Sequence, residues 1–316
     1  MADRDLLVAP ARPSLASTSP AEIGVFYEHP AWFDRLFGEL DRRGVRYRRL
    51  HAPDHFYDPG ARDERLGVIF NRMSPSADRR NHGSGIFYTR SWISHQEALG
   101  NRVINGSKAF RYETSKALQL SLLGSLGLPF PKARVIHDAK HAVEASQGLR
   151  FPVVVKPNVG GSGAGIVRFD SRGDLAAAVN DGRIALGYDH AGLVQEFIPA
   201  RGGHITRVET LGGKYLYAIR VHLTGETFDL CPADICQTTR GESLNLACVV
   251  EAAKAGLKVE SHHPPADVVS AVERIAQAAG IEVGGIEYVI DDRDEQLLRS
   301  ERSFQLCGRR SARDRF

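Results

Sequence analysis

The chain has no apolar run of the ~18 residues that a membrane-spanning helix requires, so no membrane span and no membrane partner are expected. Its first twenty residues are rich in Ala, Ser and Pro and lack the apolar core of a secretion signal, so residues 1–22 read as a loose leader. Cysteine is scarce. Cys231, Cys236, Cys248 and Cys307 stand at no zinc-binding spacing, and free thiols in a cytoplasmic protein are the expectation. Internal repeats and low-complexity blocks are absent. A large excess of either charge is missing too. The formal net charge is +3, but residues 299–316 hold six Arg against Glu301 and Asp314, a net of +4 that leaves −1 for the rest. The basicity sits in the tail, so no nucleic-acid partner is expected.

What is present is enough for a sizeable core. At 316 residues with 42% hydrophobic content, the chain suits one large domain or two to three small ones. The segment IGVFYE (23–28) reads as a short buried strand. Phe33, Leu36, Phe37 and Leu40 then recur at i, i+3, i+4 and i+7, which predicts a helix over 31–43 that Gly44 stops. Strands are expected at 45–51, 66–70 and 102–105, with a helix over 86–99 and the loop NRMSPSA after the third strand. This alternation predicts a small parallel α/β unit over 23–106. A helix over 112–126, with Leu118, Leu122 and Leu126 on one stripe, ends at Gly127 and Pro129. Beyond it, strands at 134–137, 151–156, 166–169, 192–197, 207–210, 214–221 and 285–290, with helices at 174–180 and 267–279, read as α+β with antiparallel hairpins.

The most informative stretch is FPVVVKPNVGGSGAGIVRF (151–169). Glycines this dense let backbone N–H groups approach phosphate oxygens. A P-loop would need Gly-Lys-Ser/Thr opening a helix, and a dinucleotide fingerprint would need a helix after its glycines. Here IVRF follows, which is a strand. The reading is therefore strand, Gly-rich hairpin, strand, with residues 157–165 as a flexible lid over a polyphosphate. An ordinary Gly-rich hairpin is the alternative for the loop alone. Lys156 closes the strand before the loop and Lys116 lies on the preceding helix, two cations that suit an anion with several charges. Further on, LVQEFIPARGGHITRV carries Gln195, Glu196, Phe197 and Ile198, which could offer backbone donors and acceptors to a flat base within apolar walls. Glu287, in GGIEYVIDD, is a carboxylate on a late strand and a metal candidate, with a plain strand glutamate as the alternative. Asp291 and Asp292 read as turn residues.

In this order, KALQLSLLGSLGLPFPKARVI, FPVVVKPNVGGSGAGIVRF, LVQEFIPARGGHITRV and GGIEYVIDD resemble the ATP-grasp superfamily, and within it the RimK-type carboxylate–amine ligases, over roughly 102–292. The resemblance implies an ATP-grasp fold over 107–298, in two subdomains, behind a pre-grasp domain. It implies ATP between two antiparallel sheets, with Mg²⁺ (or Mn²⁺). The γ-phosphate would pass to a small-molecule or peptide carboxylate, giving an acylphosphate that an amine attacks. Carried over by motif, Lys116 and Lys156 would bind phosphates, Gly160, Gly161, Ser162, Gly163 and Gly165 would cover them, and Gln195 to Ile198 would hold adenine. Arg207 and Arg220 would neutralise the reacting carboxylate. The family often has an acid just before this arginine, where this chain has His204-Ile205-Thr206, so the ribose contact is in doubt and His204 reads as a plain surface or structural histidine. A homo-oligomer is compatible with all of this. Other readings are an ATP-grasp protein that binds without turnover, or an ATP-grasp kinase or carboxylase.

One part departs from the family. After the Glu287 strand the resemblance implies a further strand with Asp-x-Asn or Glu-x-Asn, which completes the metal site. The chain instead reads LLRSERSFQLCGRRSARDRF. Read from the second base of each codon, Leu297–Phe316 permits FYD-x-NALSNFVADAPRVIG, with the missing acid and Asn followed by strand-like text. The expectation is a shifted reading frame near Leu297. A divergent Arg-rich tail over 299–316 is the alternative.

Overall fold

The computed structural model describes residues 22–62, 66–161, 163–222, 258–291 and 296–299. Three sheets organise them. The first is parallel, in the order β2-β1-β3-β4, from β1 (Ile23–Tyr27), β2 (Tyr47–His51), β3 (Val68–Arg72) and β4 (Val103–Ile104). The chain leaves β1 toward one side and returns to pair on its other side. That reversal makes a crevice at the carboxyl ends of β1 and β3. Pro30 opens a tight 3-10 turn (Pro30–Phe33), so the first α-helix, α1 (Asp34–Arg42), begins a turn later than the apolar spacing predicts. Its Phe37 packs with Phe33 against Val25 and Tyr27. The helix α2 (Gly85–Ala98) buries Trp92, which stacks on Phe26 at 4.3 Å.

The second sheet runs β5-β8-β6-β7 and is antiparallel, built from β5 (Ala133–Ile136), β6 (Val153–Pro157), β7 (Val167–Phe169) and β8 (Gly192–Glu196). Two helices, α5 (Ala142–Ala145) and α6 (Arg172–Asn180), cover one face through Val153, Val155, Leu175 and Ala178. The predicted strand–glycine hairpin–strand is therefore present as β6, loop and β7 in antiparallel register.

The third sheet is antiparallel in the order β11-β10-β9-β12-β13, with β9 (His204–Leu211), β10 (Lys214–His222), β11 (Val259–His262), β12 (Val283–Ile290) and β13 (Gln296–Arg299). Three helices, α3 (Ser107–Glu113), α4 (Lys116–Ser125) and α7 (Ala266–Ala279), pack on one face around Val208, Ala218, Val272, Ile275 and Ile286. Neither β11 nor β13 was expected from the sequence pattern.

The predicted helix over 112–126 is two helices. Ser115 breaks it, in extended backbone, and caps α4 by accepting from the Leu118 N–H. The new helix start is then tied to the glycine hairpin. Lys116 N–H donates to the Asn158 carbonyl at 3.2 Å, and Ala117 N–H to Asn158 Oδ1 at 2.9 Å. Asn158 thus satisfies amide donors that a helix start otherwise leaves unpaired.

Candidate nucleotide and metal site

The glycine hairpin places its lysines from opposite sides. On β6, Val153 and Val155 face the α5–α6 core, so alternation turns Val154 and Lys156 to the other face, beside Gln195 of β8. Lys156 is buried there. Lys116 begins α4, and its Nζ donates to the Gly160 carbonyl at 2.7 Å. Gly160 holds φ +140° and Gly165 φ +72°, backbone that side-chain-bearing residues rarely adopt. Gly161 approaches the loop after β3 so closely that a Cβ on it would stand 3.3 Å from the Ser76 Cβ. Ser162 lies outside the described residues, as do the four cysteines, Asp292 and residues 300–316.

The expected base-binding segment spans the end of β8 and the residues after it. Glu196 N–H donates to the Lys132 carbonyl and its carboxylate accepts from Arg150 N–H, while Phe197 N–H donates to the Pro152 carbonyl. The Arg168 guanidinium lies 4.8 Å over the Phe197 ring. Glu196 and Phe197 therefore fasten the strand end. Ile198 N–H is left as the donor without a partner among the described residues. Buried Gln195 is the side chain that shares the Lys156 face.

On the third sheet, the face away from α3, α4 and α7 carries Arg207, Glu209 and Glu287, all buried. Arg207 and Glu287 are direct cross-strand partners, and so are Glu209 and Gly285. Arg207 donates from Nε to Glu209 at 2.5 Å and from Nη1 to Glu287 at 3.3 Å. A Cβ on Gly285 would stand 2.3 Å from Arg207 Nη2, so the guanidinium occupies the space that a side chain there would need. Arg72, at the end of β3, joins this group. Burial pushes its pKa down to about 9, Glu209 opposes that shift and Arg207 adds to it. Buried charges are tolerable only when paired in this way.

Arg220 is not brought to this face. The β9–β10 register sets Ile219 opposite Arg207 and Arg220 opposite Thr206. Arg220 sits toward Glu260, 3.9 Å away. Asp291, expected in a turn, is wholly buried at the end of β12. His204 starts β9 with its Nδ1 3.2 Å from the Gly202 carbonyl, a structural position. The sequence reading missed Arg72, Glu209 and Asn158. Period-two spacing from Arg207 would have found Glu209, and Arg72 lies in the NRMSPSA loop already singled out.

A magnesium ion takes one or two protein carboxylates together with phosphate oxygens. Glu287 is one such carboxylate, already held by Arg207, and its register partner on β13 is Arg299. No group of three or more metal-ligating side chains exists among the described residues. Among the described residues the donor set, one carboxylate engaged by an arginine with a second arginine in register opposite, does not fit the ion.

Residues 122–256 match the family model for the C-terminus of D-ala D-ala ligase. The chain is 29% identical over 168 residues to a D-alanine–D-alanine ligase of Pseudomonas putida, which covers 53% of this chain and 47% of that one. It is 27% identical over 196 residues to the alpha-aminoadipate–LysW ligase LysX of Sulfurisphaera tokodaii, covering 60% and 65%. The matched stretch is thus under two thirds of either relative. Among solved structures, the RimK domain ATP-grasp protein of Sphaerobacter thermophilus superposes with a TM-score of 0.63 at 20% identity, covering 89% and 90% of the two chains. D-cycloserine synthetase DcsG superposes at 0.61 with 15% identity, covering 91% and 92%. Sheet order, glycine hairpin and superpositions agree: the chain has the fold of these ATP-grasp proteins, and over residues 122–256 it is similar to the D-ala D-ala ligase C-terminus.

Proposed function

We propose that this chain is an ATP-dependent carboxylate–amine ligase working through an acylphosphate. The observation that carries this reading is the contact of Lys116 with Gly160. A lysine from a helix packed on the third sheet reaches the glycine lid of the second, the lid that follows the strand carrying Lys156, which supports a shared role for the two cations. Lys116 and Lys156 bind the phosphates, the Gly160–Gly165 backbone lies over them, and Gln195 to Ile198 receive the base. Arg207 neutralises charge that develops as phosphate meets the substrate carboxylate, which is how phosphoryl transfer is generally accelerated. No protein nucleophile is needed. The test is ADP release in the presence of ATP, an amine and a carboxylate panel, with hydroxylamine added to trap the acylphosphate as a hydroxamate. An amide product supports the ligase. A stable phosphorylated product would make it a kinase instead, and bicarbonate-dependent turnover a carboxylase.

A second reading, ATP binding with little turnover, is favoured by Arg299. It stands in register opposite Glu287. In the shifted frame, the codon that begins within Arg299 permits Asp, and with that codon the register that pairs residue 299 with Glu287 would set a second carboxylate there. One unit charge ~4 Å from a metal is worth about 4 kcal/mol at an effective dielectric near 20. At tenfold per ~1.4 kcal/mol, the 316-residue chain then turns over two to three decades slower than the shifted-frame form. Resequencing the gene across codons 285–316 decides which form exists. Normal turnover by the 316-residue chain would sink the impaired reading.

A further inference from the structure

The crevice at the carboxyl ends of β1 and β3 is not used by the nucleotide reading. Glu28, directly after β1, is buried to 1% exposure. Arg80 donates to it from Nε at 2.9 and 3.0 Å and from Nη2 at 2.5 Å, and His82 Nδ1 lies 2.6 Å away. This pairing occupies two of the three guanidinium nitrogens. The third, Arg80 Nη1, is buried and has no hydrogen-bond partner among the described residues. A clamp that merely pinned the 75–82 loop to β1 would need only the first two. A buried donor left unpaired is costly, and few persist in folded proteins without a use.

The surroundings point the same way. The guanidinium lies 5.0 Å over the Trp32 ring, and His29 stacks on that ring at 4.5 Å. Burial, then the charge of Arg80, lowers the His29 pKa, which keeps its ring neutral at pH 7. Phe33, next in the chain, has Arg72 5.5 Å over its ring. Arg72 in turn senses Glu209 and Arg207. Two consecutive aromatics are thus each covered by an arginine, and the second arginine leads to the Arg207–Glu287 pair. The same 75–80 turn carries Ser76 against Gly161 of the lid. Arg72 and Ser76 therefore link this end of the sheet to both halves of the candidate site.

We infer that Arg80 Nη1 binds a carboxylate of the substrate other than the one to be activated, so that the preferred acid is a dicarboxylate. An ionised oxygen is the acceptor that gains most from a guanidinium N–H. The step after binding rests on the ligase reading, but the binding does not.

The test uses the full chain without ATP. Succinate, glutarate and adipate are each compared with the monocarboxylate of equal length, by titration of tryptophan fluorescence. Trp32→Phe assigns the signal to the crevice. At least one diacid is expected to bind about tenfold or more tighter than its monoacid. Arg80→Met is expected to abolish that ratio, and Arg80→Lys to retain part of it. If Arg80→Met fails to fold, Arg80→Lys with an unchanged melt carries the test by lowering the ratio. No saturable binding by any diacid, equal binding of diacid and monoacid, or a ratio unchanged in the Arg80 variants overturns the inference. Diacid binding without ADP release when ATP and an amine are added sinks the ligase reading and leaves the crevice site standing. ADP release with no diacid preference does the reverse.

Discussion

Lys116 donates from Nζ to the Gly160 carbonyl at 2.7 Å and to the Asn158 carbonyl at 3.4 Å. The cation expected on the nucleotide phosphates is thus already at the lid, bonded to its backbone. Lys116→Met removes a charge-assisted donor worth about 1.5–3 kcal/mol. KM for ATP, or Kd for a non-hydrolysable analogue, should rise roughly ten- to a hundredfold. Lys116 is half-buried, so the melting temperature should change little. An unchanged nucleotide affinity would confine Lys116 to holding the lid.

Gly285→Ala puts a methyl group 2.3 Å from Arg207 Nη2. The guanidinium must move, and it is held by Glu209 and Glu287. Destabilisation of about 1–3 kcal/mol is expected from the overpacking, together with a fall in kcat larger than the change in KM for ATP. A denaturant melt and steady-state kinetics separate the two effects. Wild-type kcat in this variant would remove Arg207 from the reacting centre.

Glu28 offers a pH dependence with a definite sign. Burial alone would raise its pKa, but hydrogen bonds from Arg80 and His82 outweigh burial and the net shift is downward. A depressed carboxylate stabilises the fold above its unfolded pKa and loses that contribution as pH falls through the lower folded value. The acid limb of the stability curve, below about pH 4.3, should therefore be steeper in the wild type than in Glu28→Gln. Breaking the buried pair should cost the variant roughly 3 kcal/mol at pH 7. Parallel slopes below pH 4 would mean that the acid limb belongs to other carboxylates.

Arg299→Asp is the smallest change that sets a second acid opposite Glu287 in the β12–β13 register. It should raise the apparent affinity for Mn²⁺, read by paramagnetic broadening with ATP present, and raise turnover above that of the wild type. The full shifted-frame segment should recover more. No gain from either would place the metal ligands elsewhere.

Much of the fold was legible because its signals are local. The glycine hairpin is recognisable from the strand text on both sides of it, and α1 from four apolar residues at helical spacing. Where the sequence reading failed, the deciding contact was distant. The break at Ser115 depends on Asn158, forty-three residues away, which bonds its hydroxyl and caps the new helix. Arg220 looked equivalent to Arg207 until the pairing register assigned it to the other face. In the site, Lys116, Lys156 and Arg207 could be expected from motif alone. Arg72 could not, because its place beside Glu209 requires two sheets to meet.

Lys116 and Lys156, the lysines proposed for the phosphates, belong to different hydrophobic cores. Lys116 rides on the helix whose Leu122 and Leu123 pack with Val272, while Lys156 stands on a strand rooted among Leu175 and Ala178. Asn158, which bonds the start of the Lys116 helix, and two lysine–carbonyl bonds tie the two together. A polyanion gripped by both would act as a staple between two bodies. Part of its binding energy would then appear as stiffness of the whole assembly, so nucleotide should slow amide exchange in both cores at once, well beyond the residues it touches.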